Sequence, residues 1–211
     1  MRIAILGAFG RIGSRIRTEA LARGHAVTAI TRTPPDASAS VPGLTIRQAD
    51  AGSEAAMRHA IAGMDAVVSA VGPGAQGDPA VIPAAARTLV AAMTRGGPKR
   101  LVFVGGAGTL EIRPGVARID TPDYPEQYRP SGIAQREALQ ILRASPLDWT
   151  YLSPPVIIAP GERRGAYRVG GDAVLFDDAG RSAISMEDFA VALLDEVETP
   201  RHVGRRFTVA W

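Results

Sequence analysis

The sequence predicts an α/β fold: a doubly wound parallel sheet with helices on both faces and a small C-terminal elaboration. Short apolar runs alternate with segments of helical period along residues 1–105. The runs are continuously apolar rather than alternating, which marks strands buried on both faces, as in a parallel sheet covered on each side. A glycine turn, GAFGRIG at 7–13, joins the first run to the first helical segment. Right-handed crossovers then leave the Rossmann arrangement as the leading topology.

Residues 2–6 (RIAIL) form the first strand. A helix is expected over 11–23, with Ile12, Ile16, Ala20 and Leu21 on one face, and Gly24 suits the left-handed residue that ends it. Strands follow at 25–31 (HAVTAIT) and 44–48 (LTIRQ), with Asp50 just past the second. Ser53 caps a short helix over 53–62. A strand at 65–71 (DAVVSAV) stops at Gly72-Pro73-Gly74, a helix fills about 80–96, and 101–105 (LVFVG) is the fifth strand.

The second half is less regular. Residues 106–130 read as a long excursion with little periodicity, and such loops are often functional. A helix at 131–144 stops before Pro146, a strand at 148–153 (DWTYLS) stops at Pro154-Pro155, and 156–184 read as short strands and turns. Ser185-Met186-Glu187-Asp188 has the spacing of a capping box and opens a helix to Glu198. The tail RRFTVAW alternates like a final strand. The simplest organisation is one domain over 1–211, with 156–184 as an elaboration on the substrate side.

Composition narrows the function. The chain has 211 residues, 46% of them hydrophobic, enough for a full core. It has no cysteine, which excludes disulfides, thiolate metal sites and a cysteine nucleophile. No apolar run is long enough for a membrane span, and the first residues are too glycine-rich for a signal peptide, so a cytoplasmic protein is expected. The net charge is +3, and Lys99 is the only lysine. The arginines are scattered among acids without interleaved aromatics, which argues against nucleic acid as partner and leaves a mild attraction for a small phosphate-bearing molecule. Monomer and homodimer both stay open.

The glycine turn carries the first functional reading. Gly7 would permit the tight turn, Gly10 would admit a pyrophosphate close to the backbone, and Gly13 would let the helix pack on the sheet. Phe9 and Ile12 complete the loop, and the helix start offers unpaired N–H groups to phosphates. The alternative is a strand-to-helix turn with no ligand. The second strand ends Thr31-Arg32-Thr33, with no acid until Asp36. Arg32 stands where a guanidinium would fork onto a 2′-phosphate, so NADP is favoured over NAD. Arg11 is a second phosphate-pairing candidate. Asp50 is either an acceptor for the adenine amino group or a helix-start residue beside Ser53. Ala70, Val71 and Gly72 close the fourth strand where ligands bind in this fold, leaving room for ribose and nicotinamide.

These residues resemble the extended and atypical short-chain dehydrogenase/reductase superfamily. The stretches RLVFVGGAGTLE (100–111), LDWTYLSPP (147–155), PGERRGAYRVG (160–170) and ISMEDFAVALLDEVE (184–198) narrow the likeness to the NmrA-like group of NAD(P)H-binding proteins, often labelled NADH–flavin reductases. The superfamily's usual chemistry uses a tyrosine and a lysine four residues apart. Here the positions four after Tyr124, Tyr128, Tyr151 and Tyr167 are Tyr128, Gly132, Pro155 and Gly171. Gly106-Ala107-Gly108 replaces the usual serine after the fifth strand. No residue is therefore assigned as catalytic.

A flavin or quinone takes a hydride without a strong protein acid, so the resemblance implies an NAD(P)H-dependent reductase of a flat acceptor. FMN or FAD would then be substrate rather than bound group. The glycine wall at 105–108, with Gly106 at its centre, suits a planar partner, and Tyr124 and Tyr128 would form a lid, or else pack the loop. Ser153 would face the nicotinamide end, or else bond to backbone. The alternative under the same resemblance is an NmrA-like dinucleotide-binding redox sensor or regulator without turnover. His25, His59 and His202 are scattered, so no metal site is expected. Trp149 and Phe103 read as core.

Overall fold

The structure is a computed structural model, and it describes residues 1–34, 41–74 and 77–211; Asp36 lies outside them. The strands are β1 (Arg2–Leu6), β2 (Ala26–Thr31), β3 (Leu44–Gln48), β4 (Ala66–Ser69), β5 (Arg100–Val104), β6 (Glu111–Arg113), β7 (Val116–Ala117), β8 (Asp148–Ser153), β9 (Ile157–Ala159), β10 (Arg168–Gly170), β11 (Ala183–Ser185) and β12 (Arg205–Ala210). The helices are α1 (Arg11–Ala22), α2 (Glu54–Ala60), α3 (Val81–Thr94), α4 (Arg129–Arg143) and α5 (Met186–Glu198). The main sheet runs β10-β12-β8-β5-β4-β1-β2-β3, and its neighbours are parallel except β10 against β12. This is the doubly wound α/β sheet that the apolar runs predict.

Successive strand residues point to opposite faces, so a strand buried on both must be apolar throughout. Leu6, Val67, Leu101, Phe103 and Tyr151 enter the layer under α2, α3 and α4, with Leu89 and Leu139. Ile3, Ile5, Val68 and Val102 enter the layer under α1 and α5, with Ile16 and Phe189. Trp149 and Phe103 are core, as their strands suggest.

Two helix starts differ from expectation. α4 begins at Arg129 rather than 131, because Pro130 falls in the first turn, where a missing N–H costs nothing. The capping box at α5 forms only half. Ser185 Oγ accepts from the Asp188 N–H at 2.9 Å, but the buried Asp188 carboxylate does not return the bond. It accepts instead from the Gly165 N–H at 2.8 Å and from Trp211 Nε1 at 2.7 Å, tying the elaboration and the C-terminus to the helix start.

The excursion at 106–130 has more structure than its sequence suggests. It contains tight turns at 107–109, 118–120 and 126–128 and the β6–β7 hairpin. Arg206 on β12, nearly buried, donates to the carbonyl of Thr109 and, from Nε, to Asp172 Oδ1 at 2.7 Å. The order thus comes from a residue far along the chain.

The elaboration is tied to α1 by charge. Arg163 donates from Nε and Nη2 to the two Glu19 carboxylate oxygens at 2.8 Å each, and Arg23 donates to the same group at 2.8 Å. Arg163, and then Arg23, hold the Glu19 carboxyl down to about 2 against an ordinary 4.5, although burial opposes them. A depressed carboxylate contributes stability above its unfolded value and loses it as pH falls toward the folded one. The expected result is a fall in Tm between pH 4.5 and 2 that is smaller in Arg163→Met, read by scanning calorimetry. Equal slopes in the two proteins would refute this assignment.

Candidate cofactor and acceptor site

The glycine turn is held by backbone contact. Gly7 has φ +83°, and a Cβ there would stand 2.7 Å from the Ala70 carbonyl oxygen. A Cβ on Gly13 would stand 2.0 Å from the Gly7 carbonyl oxygen. These two glycines let β1, α1 and the end of β4 meet without side chains between them. Gly10 differs, because the nearest atom to its missing Cβ is Gly7 O at 3.2 Å and its other sides are open.

α1 starts at Gly10 with no side-chain cap and no acid in its first turn. The first intrahelical bond runs from the Ser14 N–H to Gly10 O at 2.9 Å, which leaves the N–H groups of Arg11, Ile12 and Gly13 as orphan donors. By contrast, α2 and α5 are capped by Ser53 and Ser185 and carry Glu54, and Glu187 with Asp188, in their first turns. The start of α1 therefore keeps its partial positive charge for an anion. Phe9, partly exposed beside it, lies under the Arg17 guanidinium at 4.7 Å.

The sheet order reverses between β1 and β4, and the crevice at such a switch point receives ligands in this class of fold. Three backbone bonds align the strand ends around it: Gly7 N–H to Ile30 O (3.3 Å), Ala49 N–H to Thr31 O (3.0 Å) and Ala70 N–H to Leu6 O (2.8 Å). They bring Thr31, Arg32, Thr33, Asp50, Ala70, Val71 and Gly72 to one edge with the glycine turn. Thr31 Oγ1 is used locally, accepting from the Thr33 N–H and donating to the Thr33 carbonyl. Arg11 and Arg32 are engaged through their carbonyls only, among the described residues, so both guanidinium groups stay available. Asp50 Oδ1 accepts from the Gly52 N–H at 2.8 Å in the turn before α2, leaving its second oxygen. Nothing lies within 4 Å of a Cβ placed on Gly72. Uncapped donors, open backbone and two arginines whose guanidinium groups have no partner among the described residues fit the phosphates and ribose of a dinucleotide.

The acceptor end differs from expectation. A Cβ on Gly105 would meet the Tyr151 ring at 2.1 Å, one on Gly106 would meet Gln135 Cγ at 3.0 Å, and one on Gly108 would meet the Tyr124 hydroxyl at 2.7 Å. On that side the bare positions make room for the chain's own side chains rather than for a planar partner. Tyr124, 8% exposed, is the packed alternative: its ring lies between Arg118 (5.1 Å) and Arg129 (5.7 Å), and burial raises its phenol pKa. Tyr128, at the start of α4, is 56% exposed. Ser153 is fully buried at the end of β8, its hydroxyl 3.3 Å from Thr109 Oγ1 and its carbonyl accepting from Thr208 at 2.8 Å.

Thr109, Gln135, Tyr151 and Arg206 pack at this end of the sheet, where the sequence reading held no expectation of them. Thr109 Oγ1 donates to Gly106 O at 2.8 Å, and Arg206 holds the Thr109 carbonyl. Arg206 is the second of two arginines that open β12, and its burial is not marked by that pattern. Lys99 precedes β5, so it lies at the opposite, amino edge of the sheet. Among the described residues no three His, Asp or Glu side chains come together. His25 pairs with Glu198 and His202 with Glu196. A concavity of about 410 Å³ lies at the flank of the sheet beside α5, and its polar groups pair with each other, Tyr167 with Asp195 and His202 with Glu196. No helix among the described residues is long and apolar enough to cross a membrane.

Comparison with known proteins agrees with this geometry. Residues 7–200 match a family model described as NAD(P)H-binding. The chain is 38% identical over 213 residues to the uncharacterized protein YwnB of Bacillus subtilis (strain 168), covering 99% of this chain and 98% of that one. A crystal structure from Burkholderia pseudomallei, provisionally named an exported protein, is 42% identical with a TM-score of 0.91, and all of each chain is covered. A structure from Streptococcus pneumoniae TIGR4, provisionally named an NADH-flavin reductase, is 33% identical with a TM-score of 0.85, covering 100% of this chain and 99% of that one.

Proposed function

The chain belongs to the NAD(P)H-binding family, of the atypical short-chain dehydrogenase/reductase kind, and from that premise we propose that it is an NADPH-dependent oxidoreductase acting on a flat acceptor such as a flavin or quinone. The observation that carries the reading is the uncapped start of α1 at the switch point, with Arg32 at the end of β2 beside it. When bound, the dinucleotide supplies a hydride.

This chain's residues do the rest. The N–H groups of Arg11, Ile12 and Gly13 bind the pyrophosphate, Arg32 meets the 2′-phosphate, and the Arg11 guanidinium is a second group for phosphate pairing. Asp50 takes the adenine amino group with its free oxygen. Ala70, Val71 and Gly72 leave room for the ribose and nicotinamide. Tyr128, exposed at the mouth, is the remaining candidate to cover an acceptor, and Ser153 and Gly106 support that end from beneath.

A ketone reductase of the usual kind needs a lysine four residues after its tyrosine. After Tyr128 that position is Gly132, where even a Cβ would stand 2.5 Å from Ile119 Cδ1. No lysine stands at that position, which favours an acceptor that spreads the incoming charge over its own rings. FMN is then substrate, and the protein is a cytoplasmic small-molecule enzyme.

The test is NADPH oxidation by the purified protein with FMN present and absent, repeated with NADH. FMN-dependent turnover is expected. Arg32→Ala should raise the Kd for NADPH by at least about tenfold, the worth of a charge-assisted hydrogen bond, and leave NADH nearly unchanged. Turnover with neither cofactor in folded protein would reject the reductase in favour of a dinucleotide sensor. Equal losses for both cofactors would reject the 2′-phosphate role.

A further inference from the structure

We propose that Gln135 orients the acceptor, its side-chain amide donating N–H hydrogen bonds to a ring carbonyl oxygen or imine nitrogen at the carboxyl end of β5. The inference rests on the reductase reading and names the group that this site recognises.

Tyr151 sets the orientation of that amide. The residue is 0% exposed, and its ring is fixed from two sides, stacked on Phe103 at 5.9 Å and filling the space beside Gly105. Its hydroxyl lies 2.6 Å from Gln135 Oε1 and 3.0 Å from the Gln135 carbonyl oxygen. Burial drives the Tyr151 phenol pKa far upward, so the group stays protonated and donates. Oε1 of Gln135 is the end that faces this hydroxyl, and Nε2 is turned away from Tyr151.

Nε2 is free for a ligand. It has no hydrogen-bond partner among the described residues, and the buried side-chain polar atoms lacking a partner are Ser69 Oγ and Arg100 Nε, so Nε2 reaches solvent. Gln135 packs against Gly106, at the strand edge where ligands bind in this fold. Thr109 bonds Gly106 from below and is itself held by Arg206, so the wall beneath the amide is rigid.

The chemistry narrows the acceptor. A carboxamide donates a hydrogen bond but does not release its proton, so it orients a carbonyl or imine without serving as general acid. A flavin or quinone meets that description, because its reduced ring carries the charge until water supplies the proton. A simple ketone needs a proton at its oxygen and is not served.

Gln135→Glu keeps the acceptor for Tyr151 and removes the N–H donors, and Gln135→Leu removes both. NADPH oxidation with FMN is measured in each, with NADPH Kd from fluorescence. The Gln135 side-chain amide signals, assigned by their loss in the variants, are followed in ¹H–¹⁵N spectra of NADP⁺-loaded protein as FMN is added. Both variants are expected to raise the KM for FMN about tenfold with the NADPH Kd within about twofold, and the amide signals should shift with FMN. Tyr151→Phe, which frees the amide to flip, should give a smaller rise in KM. Unchanged KM, still amide signals, or a loss confined to NADPH binding would each overturn the inference. Absence of wild-type turnover would reject the reductase reading alone if the amide signals still move with FMN, and both readings if they do not.

Discussion

Glu196→Ala should destabilise the protein by about 3–5 kcal/mol, the usual cost of removing one partner of a buried ion pair. Glu196 lies on α5 with its side chain 3% exposed, and its Oε1 accepts from Arg100 Nη2 at 2.7 Å. It also accepts from the backbone N–H of His202 at 3.0 Å, and its Oε2 lies 2.8 Å from His202 Nδ1. Arg100 further reaches Thr150 Oγ1 at 2.7 Å and the Asp148 carbonyl at 3.1 Å. One carboxylate thus joins the start of β5, the start of β8, the last turns of α5 and the turn before β12. Without it, a buried guanidinium remains with its charge uncompensated, and Arg100 Nε already has no partner.

Burial pushes the Glu196 carboxyl up, but His202, the backbone N–H groups and Arg100 outweigh it and hold it below its ordinary value. Burial also pulls the Arg100 guanidinium down, and Glu196 only partly restores it. Glu196 therefore contributes stability above the ordinary glutamate range and loses it as pH falls through its lower folded value. Denaturant unfolding at neutral pH measures the effect. The double variant Glu196→Leu/Arg100→Met should recover most of the loss, since it leaves no charge behind. A loss under about 1 kcal/mol for Glu196→Ala would place the pair among weak surface-type bridges.

The second large effect is expected from Gly13→Ala. The new Cβ would stand 2.0 Å from Gly7 O, and both sides of the clash are backbone, so neither yields by a rotamer change. The first turn of α1 must move away from the β1 turn. Overpacking of this kind costs about 1–3 kcal/mol or more. The same movement displaces the N–H groups of the helix start from the pyrophosphate they would bind, and a lost charge-assisted hydrogen bond costs about tenfold or more. NADPH binding is therefore expected to fall at least about tenfold in folded Gly13→Ala, measured by fluorescence titration. Gly171→Ala, with nothing within 4 Å of the new Cβ, serves as the unaffected control. Retained binding in folded Gly13→Ala would remove the glycine turn from the cofactor site.

The glycine turn was legible because its signals are local. Gly7, Gly10 and Gly13 lie within one strand–turn–helix, and the backbone contacts that require them run among residues 7–13 and to Ala70. The packing at the carboxyl end of β5 was not legible, and the same residue type shows why. Gly105, Gly106 and Gly108 look as bare as the first three, but their space belongs to Tyr151, Gln135 and Tyr124, each on a different element. No pattern near 105–108 tells a glycine opened to a ligand from one opened to a neighbouring ring. Asp188 makes the same point: its spacing from Ser185 suits a capping box, while Gly165 and Trp211 take its carboxylate.

The amino-acid sequence alone therefore determined the sheet, the helices on its two faces and the glycine turn, because apolar runs, helical period and backbone freedom act over a few residues. The tertiary structure decided which side chains fill the acceptor end, that Tyr124 packs while Tyr128 stays exposed, and that Arg206 pins the excursion. Those outcomes depend on which distant residues share one volume, and close packing lets only one of them occupy it.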